Sequence, residues 1–128
     1  MILPLQNYGY HKLVVFQKAK GLVLFTYKLT KKYPKEEQYI LLPQMRRAVI
    51  SIVANIVEGY SKHSTLDFAR FLDIAIGSST ELELYFEMSL DLGYITETEF
   101  VDVSGQLTEV RKLLFSFQKA LREKKKKL

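Results

Sequence analysis

The stretch QMRRAVISIVANIVEG, residues 44–59, carries apolar side chains at most of its positions. A helix that is apolar on nearly all sides must be covered by its own bundle and by another subunit. The polar residues among them include Arg46, Arg47, Asn55 and Glu58. These side chains need partners if they are buried, because an unpaired buried polar group is costly. The stretch therefore predicts a helical, assembling, non-catalytic protein.

The composition indicates one domain with a substantial core. The chain has 128 residues, 48% of them hydrophobic, and no cysteine, which excludes disulfides and thiolate metal sites and indicates a reducing cytoplasm. The first ten residues lack the basic and apolar regions of a signal peptide. No uncharged run reaches the ~18 residues of a membrane span, so we expect a cytoplasmic protein without a membrane contact.

The net charge of +5 is distributed unevenly along the chain. Residues 1–62 contain ten Lys and Arg against three acids, whereas residues 66–109 contain one Arg against ten acids. Residues 110–128 are again basic, with eight Lys and Arg and a single acid. Charge blocks of this kind describe separate faces and ends of one molecule.

Spacing and capping residues predict four helices. The first covers residues 13–33, a connection with one helical turn follows at 34–42, and Pro43 suits the first position of the second helix. The second helix ends near residues 59–62. Capping boxes at residues 64–67 and 96–99 begin the third and fourth helices, and Gly93 ends the third. The apolar residues of the fourth helix alternate at spacings of three and four, the pattern of a bundle seam.

Short turns between such helices predict an all-α fold, an up-down-up-down antiparallel four-helix bundle. The bundle is expected to cover residues 13–123. Residues 1–12 then form an N-terminal extension, and residues 124–128 form a basic C-terminal tail.

The antiparallel registry of helices two and three places Arg46 and Arg47 near residues 79–83. We expect one arginine to pair with Glu81 or Glu83, and the other to face a subunit boundary or a central channel that could bind phosphate. The same registry places Glu58 near Arg70.

Asn55 and Glu58 allow two interpretations. They belong either to a buried polar network with helix three or a neighbouring subunit, which fixes the register, or to a ligand pocket. The structural network is favoured, with Glu81 and Glu83 as its partners on helix three.

Catalytic patterns are weak. A di-iron bundle needs Glu-x-x-His on two helices, but neither His11 nor His63 lies three residues after a glutamate. Cysteine nucleophiles are absent and the six glycines never cluster into a phosphate-binding loop. Ser78 and Ser79 lie in the middle of a helix, where small side chains indicate close helix packing and not catalysis. We therefore predict no enzyme activity, no metal and no cofactor.

The topology gathers basic residues at one end of the bundle. Lysine charges there would release counterions from a phosphate backbone and give salt-sensitive binding with little sequence preference. The candidate nucleic-acid-binding residues are Lys62, Lys119, Arg122, Lys124, Lys125, Lys126 and Lys127, with Arg46 and Arg47 as further members. The alternative is a solvated tail that aids solubility. No aromatic platform lies among these lysines in the sequence, so base readout is not predicted.

The opposite end carries lysines on helix one and acids on helices three and four. Such a basic flank and acidic flank can meet between neighbouring copies, and heterologous contacts close into rings when the rotation allows.

Five segments along the chain carry a family resemblance. They are Q-x-RRA at 44–48, SI-x-x-NI-x-EG at 51–59, F-x-x-FL-x-IA-x-GS at 68–78, ELE at 81–83 and LGY at 92–94. Together they resemble the four-helix-bundle family encoded in intervening sequences of bacterial 23S ribosomal RNA genes. The similarity extends over residues 16–121, and residues 1–12 and 124–127 lie outside it. Leu42-Pro43 departs from the small polar residues expected before the second helix.

This family is in turn similar to the accessory variability determinant of diversity-generating retroelements. That relative is a pentameric barrel whose basic surface contacts a reverse transcriptase and nucleic acid. The resemblance implies a homopentamer and suggests RNA or DNA as a partner. It also implies a different function, that of a protein–protein adaptor such as an accessory subunit of a reverse transcriptase.

Overall fold

The computed structural model describes the backbone of residues 9–127 and the side chains of residues 9–124. Its four helices are α1 (Val14–Thr30), α2 (Leu41–Tyr60), α3 (Thr65–Asp91) and α4 (Glu97–Lys127), with short 3₁₀ turns at Gly9–Lys12 and Lys35–Glu37. Each helix packs on the next one along the chain, and α4 closes against α1. The predicted all-α, up-down-up-down antiparallel bundle is confirmed, and residues 9–127 contain no strand.

The predicted helix termini are formed by the expected caps. Ser64 Oγ accepts hydrogen bonds from the amides of Leu66 and Asp67 at 3.1 and 3.3 Å, which begins α3. Thr96 and Glu99 bond each other's backbone amides reciprocally, at 3.1 and 2.9 Å, and so complete a capping box before α4. Gly93 has a φ of 78°, the left-handed conformation that ends a helix.

Three predicted boundaries differ from the structure. α1 ends at Thr30, three residues early, and α2 begins at Leu41, so Pro43 is its third residue. Leu41 is buried and anchors the helix start, and Pro43 is tolerated because first-turn amides have no intrahelical acceptor. α4 continues to Lys127 without a break at residue 123. Residues 1–8 and 128, and the side chains of residues 125–127, lie outside the described part of the chain.

The core runs the length of the bundle and draws on all four helices. Leu22, Ile52, Leu72, Leu82 and Leu114 are completely buried. Helices α2 and α3 approach each other closely at Gly59, where an added side chain would collide with α3. A Cβ atom built there would lie 2.6 Å from Phe68 Cδ1 and 2.9 Å from Phe71 Cβ.

Helix α2 is only partly covered by its own bundle. Val49 is completely buried, whereas Val53 and Val57 are half-buried and Ile50 is 44% exposed. The exposed part lies beside α1, where Ile50, Val53 and Ala54 line an almost purely apolar groove with Leu24. This surface is the part of the apolar circumference that a single chain leaves uncovered.

Candidate nucleic-acid interface

Three lysines project into solvent at the end of the bundle where α2 and α4 finish and α3 begins. Lys62, Lys119 and Lys124 are exposed, and no ion pair among the described residues includes any of them. Lys62 Nζ lies 5.2 Å from the centre of the Phe71 ring, a cation–π distance. We call these three residues, with Arg122, the basic end.

The fourth member of the basic end is already paired. Arg122 Nη2 lies 3.1 Å from Asp73 Oδ2, and both side chains are about half exposed. An exposed ion pair of this kind is worth little, so a phosphate can compete for the guanidinium. Arg122 therefore contributes less free charge than the three lysines. Lys125, Lys126 and Lys127 continue the same helix, but their side chains lie outside the described part.

Aromatic packing closes the basic end, where Arg122–Asp73 is an exposed ion pair between α4 and α3. Phe68 meets Tyr60 and Phe117 edge-on, with ring centroids 6.2 and 5.0 Å apart. Tyr10 of the N-terminal 3₁₀ turn packs edge-on against Phe16 at 5.0 Å. Since apolar contacts hold the helices together here, the lysines of the basic end have no structural task in the fold.

Phe115 is a residue at this end that the sequence interpretation missed. It is 51% exposed and lines a shallow groove on α4 with Gln118, Lys119, Arg122 and Glu123. Leu114 and Phe117 occupy the core positions of the three–four pattern on either side of it. Phe115 does not belong to that pattern, and this was the sequence signal that it faces outward. Its exposed ring lies beside Lys119 and Arg122, and the absence of base readout stays a prediction.

Arg46 and Arg47 lie far from the basic end. They are near the start of α2, and the 16 residues between Arg46 and Lys62 correspond to about 24 Å of helix. Arg46 turns to α1, where its Nη2 donates to Thr30 Oγ1 at 3.2 Å and its Cζ lies 4.7 Å from the Tyr27 ring centre.

The expected pairing of an arginine with Glu81 or Glu83 is wrong. Met45 of α2 lies against Ser89 of α3, which is several residues further along α3 than the predicted registry allows. Residues 79–83 are therefore not opposite Arg46 and Arg47. Arg47 instead lies near Tyr85, whose pKa is raised chiefly by burial and lowered in part by this arginine.

The four residues expected to form one polar network are separated in the structure. Asn55 donates to the carbonyl and hydroxyl oxygens of Ser51 on its own helix, at 2.8 and 3.1 Å, and Ser78 donates to the same hydroxyl at 2.8 Å. This short chain of bonds does link α2 to α3. Glu81, by contrast, accepts a hydrogen bond from Tyr85 one turn away and forms no ion pair within the described part of the chain.

Glu58 does not pair with Arg70. It is exposed and forms no ion pair among the described residues, because the adjacent Gly59, not Glu58, faces α3. Arg70 bonds to Asp67 of its own helix at 3.4 Å. Both the ligand-pocket and the buried-network interpretations of Glu58 lack support in this geometry.

The polar clamp of the bundle lies between α3 and α4 instead. Arg111 donates to Ser79 Oγ, to the Ser79 carbonyl and to Glu83 Oε2, at 3.1, 3.1 and 3.0 Å. Ser79 is completely buried, and its small side chain leaves room for the guanidinium. The sequence interpretation anticipated a role for Ser79 in close packing but not its arginine partner.

The other end of the bundle is closed by polar bonds. Lys32 bonds to Glu99, and the Tyr94 hydroxyl donates to Glu37 Oε2 at 2.6 Å. The bond to Glu37 is the main reason that the pKa of Tyr94 rises to about 12. The Lys32 ammonium, and then the Thr96 amide, hold the pKa of Glu99 below its usual value.

Two kinds of site are not formed by the described residues. Residues 9–127 contain no cluster of three or more His, Asp or Glu side chains that could hold a metal ion. Within the same range, no helix combines the length and apolarity that a bilayer span requires.

The fold and the exposed cations define a four-helix bundle with one basic end. The chain belongs to the 23S rRNA-intervening sequence protein family, whose model matches residues 11–116. It is similar to a crystal structure from Bacteroides thetaiotaomicron, a protein of unknown function in the S23 ribosomal protein family. The two are 31% identical with a TM-score of 0.77, over 83% of this chain and 96% of that one. No curated protein matches the sequence.

Proposed function

We propose that this protein is a non-enzymatic, homo-oligomeric cytoplasmic protein, a pentamer as the family resemblance implies, that binds the backbone of structured RNA or other nucleic acid. The observation that carries the proposal is the basic end, where Lys62, Lys119 and Lys124 are exposed and have no carboxylate partner among the described residues. Unpaired lysines keep their full charge available for phosphate.

Assembly strengthens this proposal because it multiplies a modest cluster. Three lysines and one paired arginine are a weak site for nucleic acid by themselves, but several copies in one ring bind multivalently. The uncovered apolar surface of α2 and α1, including Ile50 and Leu24, supports association of copies.

Binding of a structured RNA across a series of salt concentrations tests the proposal. The logarithm of the affinity should fall linearly with the logarithm of the salt concentration, and deletion of residues 124–128 should reduce the slope. Undetectable or salt-independent binding would contradict the proposal.

A second function, that of a protein–protein adaptor, is favoured by a separate observation at the opposite end. Tyr39 and Ile40, in the connection between α1 and α2, are 85% and 67% exposed. Two adjacent exposed apolar side chains on a loop are suited to a partner's pocket. The resemblance to the retroelement accessory protein suggests a reverse transcriptase as that partner. Loss of partner capture in a Tyr39→Ser, Ile40→Ser variant, with RNA binding unchanged, would support this function.

A further inference from the structure

The outer faces of α1 and α3 carry two stripes with the same spacing. The α1 stripe consists of Val14, Gln17, Gly21, Leu24, Lys28 and Lys31; the α3 stripe consists of Ile74, Gly77, Glu81, Leu84, Met88 and Asp91. Both repeat at three, four, three, four and three residues, the spacing of a coiled-coil seam. All twelve residues are exposed, and Leu24 and Leu84 are 63% and 51% exposed.

Each stripe also contains a mid-helix glycine that its own chain does not explain. A Cβ atom built at Gly21 or Gly77 would meet nothing within 4 Å, so neither glycine makes room for a neighbour inside the bundle. A glycine in a helix interior costs about 0.5–1 kcal/mol relative to alanine. Close approach of another chain is a physical reason to keep it.

The two stripes are complementary in charge. Lys28 and Lys31 of the α1 stripe form no ion pair among the described residues. The same holds for Asp91 of the α3 stripe and for Glu87, the exposed residue next to Met88 of that stripe. Lys28 lies in the last turn of α1 and Lys31 is the residue that caps this helix, while the carboxylates lie in the last turns of α3, at the same end of the bundle. A parallel contact between copies therefore brings opposite charges together, whereas an antiparallel contact would separate them.

The heights of the stripes along the bundle also match. Arg46 bonds to Thr30 while Met45 contacts Ser89, so residues 30 and 89 lie at about the same height, 59 residues apart in the chain. At the other end, Tyr10 packs on Tyr60 and Tyr60 on Phe68, a difference of 58. The stripes correspond residue by residue at a difference of 60. Two copies in contact this way would be displaced along the axis by only ~2–3 Å.

We propose that the α1 stripe of one copy packs in parallel against the α3 stripe of the next copy, with Leu24 on Leu84 and Lys28 and Lys31 facing Glu87 and Asp91. The partner is a second copy of this chain, and the inference rests on the oligomeric part of the proposed function. Because the contact is parallel and heterologous with almost no axial displacement, it keeps the copies at one level, and they close into a ring when the angle between the two stripes allows. All basic ends then lie on one side of the ring.

A reciprocal charge swap tests this contact by light scattering. Lys28→Glu with Lys31→Glu, and separately Glu87→Lys with Asp91→Lys, should each shift the protein toward monomer, with at least a tenfold weaker association. The four substitutions together in one chain should restore assembly, because the charges are complementary again. Circular dichroism checks that each variant remains folded. The control, Lys35→Glu with Lys112→Glu, makes the same charge change at exposed positions outside both stripes and should assemble like the unchanged chain.

The possible results distinguish a failure of this contact from a failure of the proposed function. Double variants that assemble normally, or a fourfold variant that fails to recover, would overturn the contact while oligomerisation itself stands. A wild-type protein that remains monomeric would overturn both the contact and the oligomeric part of the proposal. A successful charge swap in a protein that binds no RNA would establish the contact and contradict the nucleic-acid function.

Discussion

The two ends of the bundle use different interactions for the same structural task. At the basic end, aromatic rings such as Phe68 and Phe117 close the helices together, and lysines are left without carboxylate partners among the described residues. At the opposite end, Lys32, Glu99, Glu37 and Tyr94 are bonded to one another in pairs. Charges that a fold uses are paired within it. The unpaired lysines of the basic end are therefore available to a nucleic acid, as Lys28 and Lys31 at the opposite end are available to a second copy. Four predictions test the contrast between the ends.

The largest effect is expected on nucleic-acid affinity. Lys62→Gln with Lys119→Gln should weaken RNA binding about tenfold to thirtyfold at moderate salt, because two phosphate contacts are lost. The matched control is Lys35→Gln with Arg47→Gln, two exposed cations at the other end, which should leave the affinity within about twofold. Fluorescence anisotropy with one labelled RNA measures both variants. Equal losses in the two variants would remove the distinction between the ends.

Packing at the basic end should be intolerant of added volume. Gly59→Ala should lower the free energy of unfolding by about 1–2 kcal/mol, because the new methyl group collides with Phe68 and with the Cβ of Phe71. Gly105→Ala is the control, since a Cβ there meets nothing within 4 Å and should raise stability by up to about 1 kcal/mol. Urea denaturation monitored by circular dichroism gives both values. A neutral or stabilising Gly59→Ala would mean that α2 and α3 are less close than described.

The polar end should show a shifted tyrosine titration. Tyr94 donates to Glu37, which raises the pKa of Tyr94 to about 12, so phenolate should form there later than at a tyrosine with the ordinary value of 10.0. Glu37→Gln should lower the pKa of Tyr94, and comparison with Tyr94→Phe identifies the phenolate absorbance of this residue. Identical alkaline titrations of Glu37→Gln and the unchanged chain would exclude the bond.

The smallest effect concerns stability at acid pH. Lys32 and the Thr96 amide lower the pKa of Glu99 in the folded state, so this carboxylate stabilises the fold above its unfolded pKa. That contribution is lost as the pH falls through the folded pKa. Glu99→Gln should therefore have a smaller difference in urea midpoint between neutral and acid pH than the unchanged chain. Glu97→Gln, an exposed neighbour without an ion pair among the described residues, is the control and should retain the full difference.

The helices and their caps could be predicted because their signals are local. Ser64, Gly93 and the Thr96–Glu99 box act within one turn of the chain, and each does what its sequence context indicates. Pro43 misled the prediction of the α2 start, since burial of Leu41 extends the helix past the local signal.

Contacts between helices were harder to predict, because they depend on register over many turns. A small error in the predicted register of α2 against α3 grows with distance from the turn. Arg46 therefore bonds to Thr30 of α1 and not to α3, and Glu83 bonds to Arg111 of α4. The outward position of Phe115 likewise follows from which side of α4 faces the core. The equal spacing of the α1 and α3 stripes is present in the sequence, but their exposure and heights required the structure.

The mass of the purified protein in solution, followed by sedimentation velocity over a range of micromolar concentrations, tests the central claim most directly. The account requires an assembly of several chains, because the uncovered apolar surface around Leu24 and Ile50 is to be shared between copies and the basic ends are to act together. A species with the mass of a single chain at every concentration would contradict it.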